Sequence, residues 1–175
     1  MMLLYSVLNS SETENMPPRK IDLDELDYKI IQELHREARI PASEIARKTG
    51  ANERTVRKRI DRLVQDGVVR LTAILEPAAF GYHVTADIFL ETDPKQETEI
   101  LERLMAMPEV TYIALGQEAT EISIEARFKD NGALREFLGR TLSSIPGVSV
   151  IRYAIVPRIL RNIDEWMPPK EDFRL

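Results

Sequence analysis

Residues 43–69 constrain the fold of this chain more than any other stretch. They contain two short apolar runs at helical spacing, one on each side of Gly50. Because glycine has no Cβ atom, Gly50 can adopt the left-handed conformation that ends a helix, and Asn52 can cap the next one. The pattern predicts a helix-turn-helix whose second helix runs to Asp66, with Gly67 as its stop. The apolar positions expected in its core are Ile45, Ala46, Val56, Ile60, Leu63 and Val64.

The second predicted helix carries positive charge on the face opposite its apolar residues. Arg54, Lys58 and Arg62 point away from the apolar side when successive residues are placed about 100° apart. Residues 43–62 contain seven basic and three acidic side chains, a local charge of +4 in a chain whose net charge is −5. A basic face on an acidic protein favours contact with nucleic-acid phosphates. The alternative is a solvated amphipathic helix with no ligand.

Composition excludes several other kinds of site. The chain has no cysteine, which excludes disulfides, thiolate metal sites and cysteine nucleophiles. The two histidines, His35 and His83, lie far apart in sequence, so we expect neither a metal nor a cofactor. No apolar run is long enough to span a bilayer and no secretory signal is apparent, so we expect a cytoplasmic protein.

Five segments follow from shifts in pattern along the 175 residues. We expect a flexible extension over residues 1–21, a helix-turn-helix domain over 22–70, a linker strand and turn over 71–83, a second domain over 84–160 and a C-terminal tail over 161–175. Translation could start at Met1 or at Met16, and the apolar first eight residues could instead dock on a partner. The linker strand is expected over residues 69–75.

The first domain is predicted to begin with a helix of its own. Asp24 can cap this helix and pair with Asp27, and apolar residues recur at helical spacing up to Leu34. We therefore expect a helix over residues 25–39, followed by a break at Pro41, which forces Ile40 into an extended conformation. Three helices would give the helix-turn-helix a core.

The second half alternates strands and helices. Strands are predicted over residues 84–92, 110–116, 121–128 and 148–156, and helices over 95–107 and 132–144. A weak internal repeat, LMAMPEVTYI and LSSIPGVSVI, indicates two related βαβ units. The fold class is thus α+β, with a helix-turn-helix followed by a ferredoxin-like βαββαβ domain that has both helices on one face of an antiparallel sheet. An unrelated α/β sandwich is the alternative.

The sheet face without helices is predicted to be a dimer interface. Phe89, Ile151, Tyr153 and Ile155 are spaced to lie on that face, among acidic residues. Such a face is too apolar to be fully hydrated, which favours a homodimer or a higher homo-oligomer.

These features together resemble the Lrp/AsnC family of feast-or-famine regulators. The likeness covers residues 22–157 and rests on DYKIIQELHREARIPASEIARKTGANERTVRKRIDRLVQDGVV, on ILEPAAFGY and on the βαββαβ pattern. It implies that the first domain binds double-stranded DNA and that the second, called RAM in this family, oligomerises and often binds an amino acid. The residues expected at the DNA are Ser43, Lys48, Asn52, Arg54, Thr55, Arg57, Lys58 and Arg62.

One loop departs from the family pattern. Effector-responsive members usually have Gly followed three residues later by Asp, whereas no Asp stands three residues after Gly116 here. Glu121 could supply the carboxylate from a shifted position, or Gly116 could serve only as a hairpin turn residue. The candidate effector residues are Gly116, Gln117, Glu118, Thr120 and Glu121.

Three functions remain open from the sequence. The leading one is a sequence-specific transcription regulator that oligomerises and senses a small molecule such as an amino acid. A siroheme-decarboxylase-like enzyme of similar architecture is the second. Its pocket would need histidine in the second domain, and the only histidine available there, His83, lies in the connection between the domains. The third is a low-specificity architectural DNA-binding protein.

Overall fold

The computed structural model describes residues 21–116 and 120–173, and these form two compact units. The first unit contains the described residues up to Thr72 together with residues 163–173, and the second covers Ala73–Asn162. Apart from Ile21, the predicted N-terminal extension lies outside the described residues, as do Gln117 and Glu118. The helices of residues 21–116 and 120–173 are too short or too polar to span a bilayer.

Helix α1 spans Glu25–Arg36. The Asp24 carboxylate accepts from the Asp27 N–H at 3.0 Å, and the Asp27 carboxylate accepts from the Asp24 N–H at 3.1 Å. This reciprocal pair confirms the predicted cap. The helix ends three residues earlier than expected, because Glu37 is already extended, with φ −148°.

Helices α2, Ala42–Thr49, and α3, Glu53–Gln65, form the predicted helix-turn-helix. Gly50 follows α2 in the left-handed conformation, with φ 73°. The Asn52 side chain caps α3 by accepting from the Arg54 N–H at 2.9 Å. The core of this unit consists of Ile30, Leu34, Ala42, Ile45, Ala46, Val56 and Leu63. The expectation that Val64 is in the core was wrong, because this side chain is 44% exposed.

The segment after α3 differs from its prediction. Residues 69–75 have no regular secondary structure, so the predicted linker strand is wrong. Their branched side chains favour a strand only where a half-buried sheet surface receives them, and Ile74 and Leu75 are instead 67% and 68% exposed. A 3-10 turn, Pro77–Phe80, then ends at Gly81 in the left-handed conformation, with φ 82°.

The second unit has the predicted ferredoxin-like order. It consists of β1, Val84–Thr92; α4, Glu97–Met105, preceded by a 3-10 turn; β2, Val110–Leu115; β3, Glu121–Phe128; α5, Asn131–Glu136; and β4, Val148–Ile155. After α5 the chain continues through a π-helical turn at Phe137–Thr141 and a 3-10 turn at Leu142–Ser144. The sheet order is β2-β3-β1-β4, and neighbouring strands pair antiparallel.

Alternate residues of β1 and β3 build the core of this unit. Ile88 pairs with Ile124 and Leu90 with Ile122, and all four are buried against the helices. From the helices, Ile100, Leu104, Leu134 and Phe137 join the same cluster. The side chains between the core positions, such as Phe89 and Glu125, face away from the helices.

The pairing of β1 with β4 shows that the four predicted dimer residues do not share one face of the sheet. Phe89 lies opposite Arg152 on the face without helices, and the Arg152 guanidinium is 3.4 Å from its ring centroid. Tyr153 pairs with Ile88 and Ile155 with Ala86, so both are on the helix side of the edge strand, and Ile151 occupies an irregularity in the pairing. The expectation that all four share the open face was therefore wrong. The alternation in β4 shows which residues share a face, whereas its pairing with β1 decides which face that is.

The C-terminal segment belongs to the first unit. Phe173 is 5% exposed, and its ring lies edge-on to Tyr28 of α1 with 4.9 Å between centroids. Lys170 lies over the same Tyr28 ring, with its Nζ 5.9 Å from the centroid. The chain therefore passes between the two units twice, at residues 72–73 and at residues 162–163.

Candidate nucleic-acid interface

Helix α3 presents a polar, basic surface on the side opposite its core residues. Val56 and Leu63 are fully buried on the inner side, whereas Arg54, Thr55 and Lys58 are exposed. A shallow cleft of about 720 Å³ runs along this outer surface. It is lined by Arg54, Thr55, Lys58, Arg59, Asp61, Arg62 and Gln65.

The five basic residues of α3 differ in their partners. Arg57 is bonded to Glu53 one turn earlier, with 2.6 Å between Nη2 and Oε1. Arg59 and Arg62 contact acidic residues of α1 and its cap. Within the part of the chain that the structure describes, Arg54 and Lys58 have no ion pair. Their charges are therefore the ones on α3 that are available to an external anion.

Arg62 differs from its predicted orientation. Its guanidinium donates from Nη2 to the Asp27 carboxylate instead of pointing away from the core. The physical reason is helical drift: with 3.6 residues per turn, a residue eight positions after Arg54 is rotated by about 80° around the helix. That rotation brings Arg62 to the side of α3 that faces α1.

Asp27 is the centre of a network that sequence reasoning missed. Its carboxylate is fully buried, and its Oδ2 accepts from Arg59 Nη1 at 2.9 Å as well as from Arg62. Arg59 Nη1 also donates to Asp24 Oδ2 at 2.8 Å. We call Asp24, Asp27, Arg59 and Arg62 the Asp27 network. The bonds of this network connect α3 to α1 and to its cap.

The network shifts the titration of its exposed member. Partial burial of Asp24 raises its pKa, but the Asp27 backbone N–H and the Arg59 guanidinium lower it more, so the pKa lies below its ordinary value. The carboxylate therefore stays ionised at any pH at which the protein is expected to work.

Helix α2 carries a second group of ion-paired side chains. Lys48 Nζ lies 2.7 Å from Glu33 Oε2 of α1 and 3.7 Å from Glu44 of its own helix. The hydrogen bond with Lys48 lowers the pKa of Glu33, and the same bond raises the pKa of Lys48. Ser43 is exposed on α2. Lys48 is therefore at the surface, but its charge is already compensated.

Asn52 has a local role that competes with a role at DNA. Its side-chain oxygen is occupied by the Arg54 N–H as the cap of α3. The side-chain amide N–H groups are still available to an acceptor, because capping uses only the oxygen.

Three of the candidate effector residues, Gly116, Thr120 and Glu121, lie at the end of β2 and the start of β3. The Gly116 N–H donates to the Glu121 carbonyl at 2.7 Å, and a Cβ at Gly116 would lie 3.1 Å from that oxygen. The Thr120 carbonyl accepts from the Thr92 N–H at 2.7 Å and from its hydroxyl at 3.2 Å. The Gly116 bond thus joins β2 to β3, the Thr120 carbonyl is bonded to the end of β1, and Glu121 is exposed.

The sequence could have indicated the Asp27 network through one signal. An aspartate that follows its helix cap by three residues fits a capping pair, but an aspartate among apolar residues also needs a cation if it is buried. The cations that meet it lie 32 and 35 residues further along the chain.

Comparisons with known proteins match both units. Residues 23–70 match the family model described as winged helix-turn-helix DNA-binding, and residues 85–162 match the model described as Lrp/AsnC ligand binding domain. The uncharacterized HTH-type transcriptional regulator PH0140 of Pyrococcus horikoshii is 32% identical over 149 residues, which are 85% of this chain and 92% of that protein.

Solved structures show the same architecture. AsnC of E. coli is 25% identical, with a TM-score of 0.72 over 82% of this chain and 99% of that chain. A feast or famine regulatory protein from M. tuberculosis, solved in complex with L-methionine, is 25% identical, with a TM-score of 0.72 over 83% of this chain and 99% of that chain.

Proposed function

Because this chain belongs to the Lrp/AsnC family of DNA-binding transcriptional regulators, we propose that it contacts DNA through the outer face of α3, with Arg54 and Lys58 as its main cationic contacts. The observation that carries the proposal is the contrast among the five basic residues of that helix. Arg54 and Lys58 are exposed and have no ion pair in the described residues, whereas the other three are tied to carboxylates.

The other residues predicted at the DNA are expected to contribute to binding to different extents. Thr55 lines the same cleft as Arg54 and Lys58, and its hydroxyl can donate or accept a hydrogen bond at a base edge. Ser43, Asn52 and Arg57 are also exposed and can add contacts to the phosphates. Lys48 and Arg62 contribute less, because glutamate and aspartate already neutralise them.

The salt dependence of binding tests the assignment of Arg54 and Lys58. A duplex selected by the wild-type protein from genomic fragments is titrated with the full chain at several salt concentrations. For each phosphate contact that is lost, the slope of log K against log salt should become shallower by about 0.9. We expect such a change for Arg54→Ala and Lys58→Ala, and a larger loss of affinity, about 1–3 kcal/mol, for whichever side chain reaches a base edge.

Arg140→Ala is the matched control for these variants. This residue is 83% exposed and pairs with Glu136 in the second unit, so its loss removes one positive charge far from α3 in sequence. Its salt slope should equal that of the wild type. Wild-type slopes for both α3 variants would mean that another surface contacts the DNA.

We also propose that the regulator is a homodimer or a higher oligomer and acts by binding rather than by catalysis. Relatives named as transcriptional regulators support a regulatory role over the siroheme-decarboxylase-like alternative. As a DNA-binding regulator, it is proposed to act in the cytoplasm. For the dimer contact we propose the β4 edge patch, Val150, Ile151, Tyr153 and Ile155, whose side chains are 36–51% exposed.

The second unit is further proposed to bind a small molecule such as an amino acid. The match to a ligand binding domain and the L-methionine complex of the M. tuberculosis protein support this. Calorimetric titration of the full chain with L-methionine, repeated across the other amino acids, tests it. If none of the amino acids gives binding heat, the proposal that the second unit binds an amino acid is wrong.

A further inference from the structure

The Asp27 network has a consequence for DNA recognition that rests on the proposed function. We propose that Asp27 is a specificity-determining positioning residue, whose buried carboxylate keeps Arg59 and Arg62 off the DNA phosphates. The phosphate contacts of α3 then depend mainly on Arg54 and Lys58. Specific binding keeps its base contacts, while the affinity for arbitrary DNA stays low.

Geometry gives Asp27 this control over both arginines. Its Oδ2 accepts from both Arg59 and Arg62, and the same Arg59 Nη1 also donates to Asp24 Oδ2. Two aspartates meet two arginines, so the network as a whole is electrically neutral. Because Asp27 is fully buried, its carboxylate is shielded from water, which strengthens its attraction for the guanidinium groups.

The two arginines lie close enough to the proposed interface to matter. Their side chains are 28% and 37% exposed, and both line the same cleft as Arg54 and Lys58. An arginine side chain that loses its carboxylate there is long and mobile, and phosphate is its preferred anionic partner. The carboxylate of Asp27 is therefore what withholds two of the five α3 cations from the DNA.

Charge removal at Asp27 is the first test. Asp27→Asn keeps the side-chain shape and an acceptor for the Asp24 N–H, but it removes the charge that holds the arginines. For the full-length variant, the salt slope on non-specific duplex should become steeper by about 0.9 for each arginine released, up to about 1.8 per protomer. The ratio of specific to non-specific affinity should fall.

Asp61→Asn is the matched control, because Asp61 is an exposed acid on the same helix and lines the same cleft. It changes the net charge by the same amount without releasing an arginine. A slope for Asp27→Asn equal to that of Asp61→Asn would overturn the inference. The double variant Asp27→Asn/Arg62→Ala should recover about half of the added slope.

Arg62→Gln provides a second test if Asp27→Asn fails to fold. Glutamine still donates to Asp27 but carries no charge, so we expect an unchanged salt slope, against a shallower one for Lys58→Gln. A shallower slope for Arg62→Gln would show that Arg62 contacts phosphate in the wild type, which contradicts the inference. Absence of salt-dependent binding by the wild type would instead contradict the proposed function itself.

Discussion

The Asp24 carboxylate both caps α1 and bonds to α3. It caps α1 through the Asp27 N–H and also accepts from Arg59 of α3. Both bonds favour the charged form, which is why its pKa lies below its ordinary value despite partial burial. The same pair of contacts therefore links the start of α1 to α3.

The lowered pKa of Asp24 predicts a loss of stability in acid. The unfolded chain has the ordinary pKa of about 3.9, so the contribution of Asp24 is fully present well above that pH and is lost as pH falls through the lower folded value. Amide hydrogen exchange of α1 and α3, measured for wild type and Asp24→Asn from pH 6 to pH 3, checks this. We expect the stability difference between the two proteins to be constant at the upper end and to shrink below about pH 4; a difference that is the same at every pH would refute it.

Residues with local partners could be predicted from the sequence, whereas those with distant partners could not. Asp24 and Asn52 were identified as caps, because a cap bonds backbone groups only two or three residues away. Arg62 was misplaced because its acidic partner lies 35 residues earlier in the chain. A helical wheel gives the direction of a side chain, but it does not show which residues of other helices lie in that direction.

At the scale of elements, periodicity located the helices and strands but not their environments. The predicted strand over residues 121–128 coincides with β3, since its strict alternation has only one buried side. The side of β4 was misassigned, because it depends on pairing with β1 and on an irregularity between Phe89 and Leu90. The linker strand was misassigned because branched residues alone do not create a strand.

The β4 edge patch predicts how the chain associates. Strands β4 and β2 form opposite edges of the sheet, and each has a half-exposed tyrosine, Tyr153 at 51% and Tyr112 at 54%. If the patch is the dimer contact, Tyr153→Lys should dissociate the dimer by placing a charge in a closed interface, with little effect on folding. Light scattering at about ten micromolar protein, where a specific dimer should persist, is the measurement.

Tyr112→Lys is the control for that experiment, since it makes the same change at an equally exposed tyrosine of the other edge. We expect it to remain dimeric. A monomeric wild type, or a Tyr112→Lys variant that dissociates while Tyr153→Lys does not, would move the contact away from β4.

At the scale of the whole molecule, the sequence predicted the order of a DNA-binding and a ferredoxin-like part but not where the C-terminal segment belongs. Residues 163–173 have no helical or strand periodicity, and their main buried contact, between Phe173 and Tyr28, joins residues far apart in the chain. Such a contact leaves no local pattern. As a result the DNA-binding unit is built from both ends of the described chain.

The central claim is that a dimer reads specific DNA with the outer face of α3. The most direct measurement is selection of genomic fragments by the full-length protein, followed by sequencing. We predict one shared motif with two symmetric half-sites, separated by about one helical turn or a multiple of it. The motif should disappear for Arg54→Ala/Lys58→Ala and persist for Arg140→Ala. Fragments without a shared motif, or a motif that the double variant still selects, would contradict the claim.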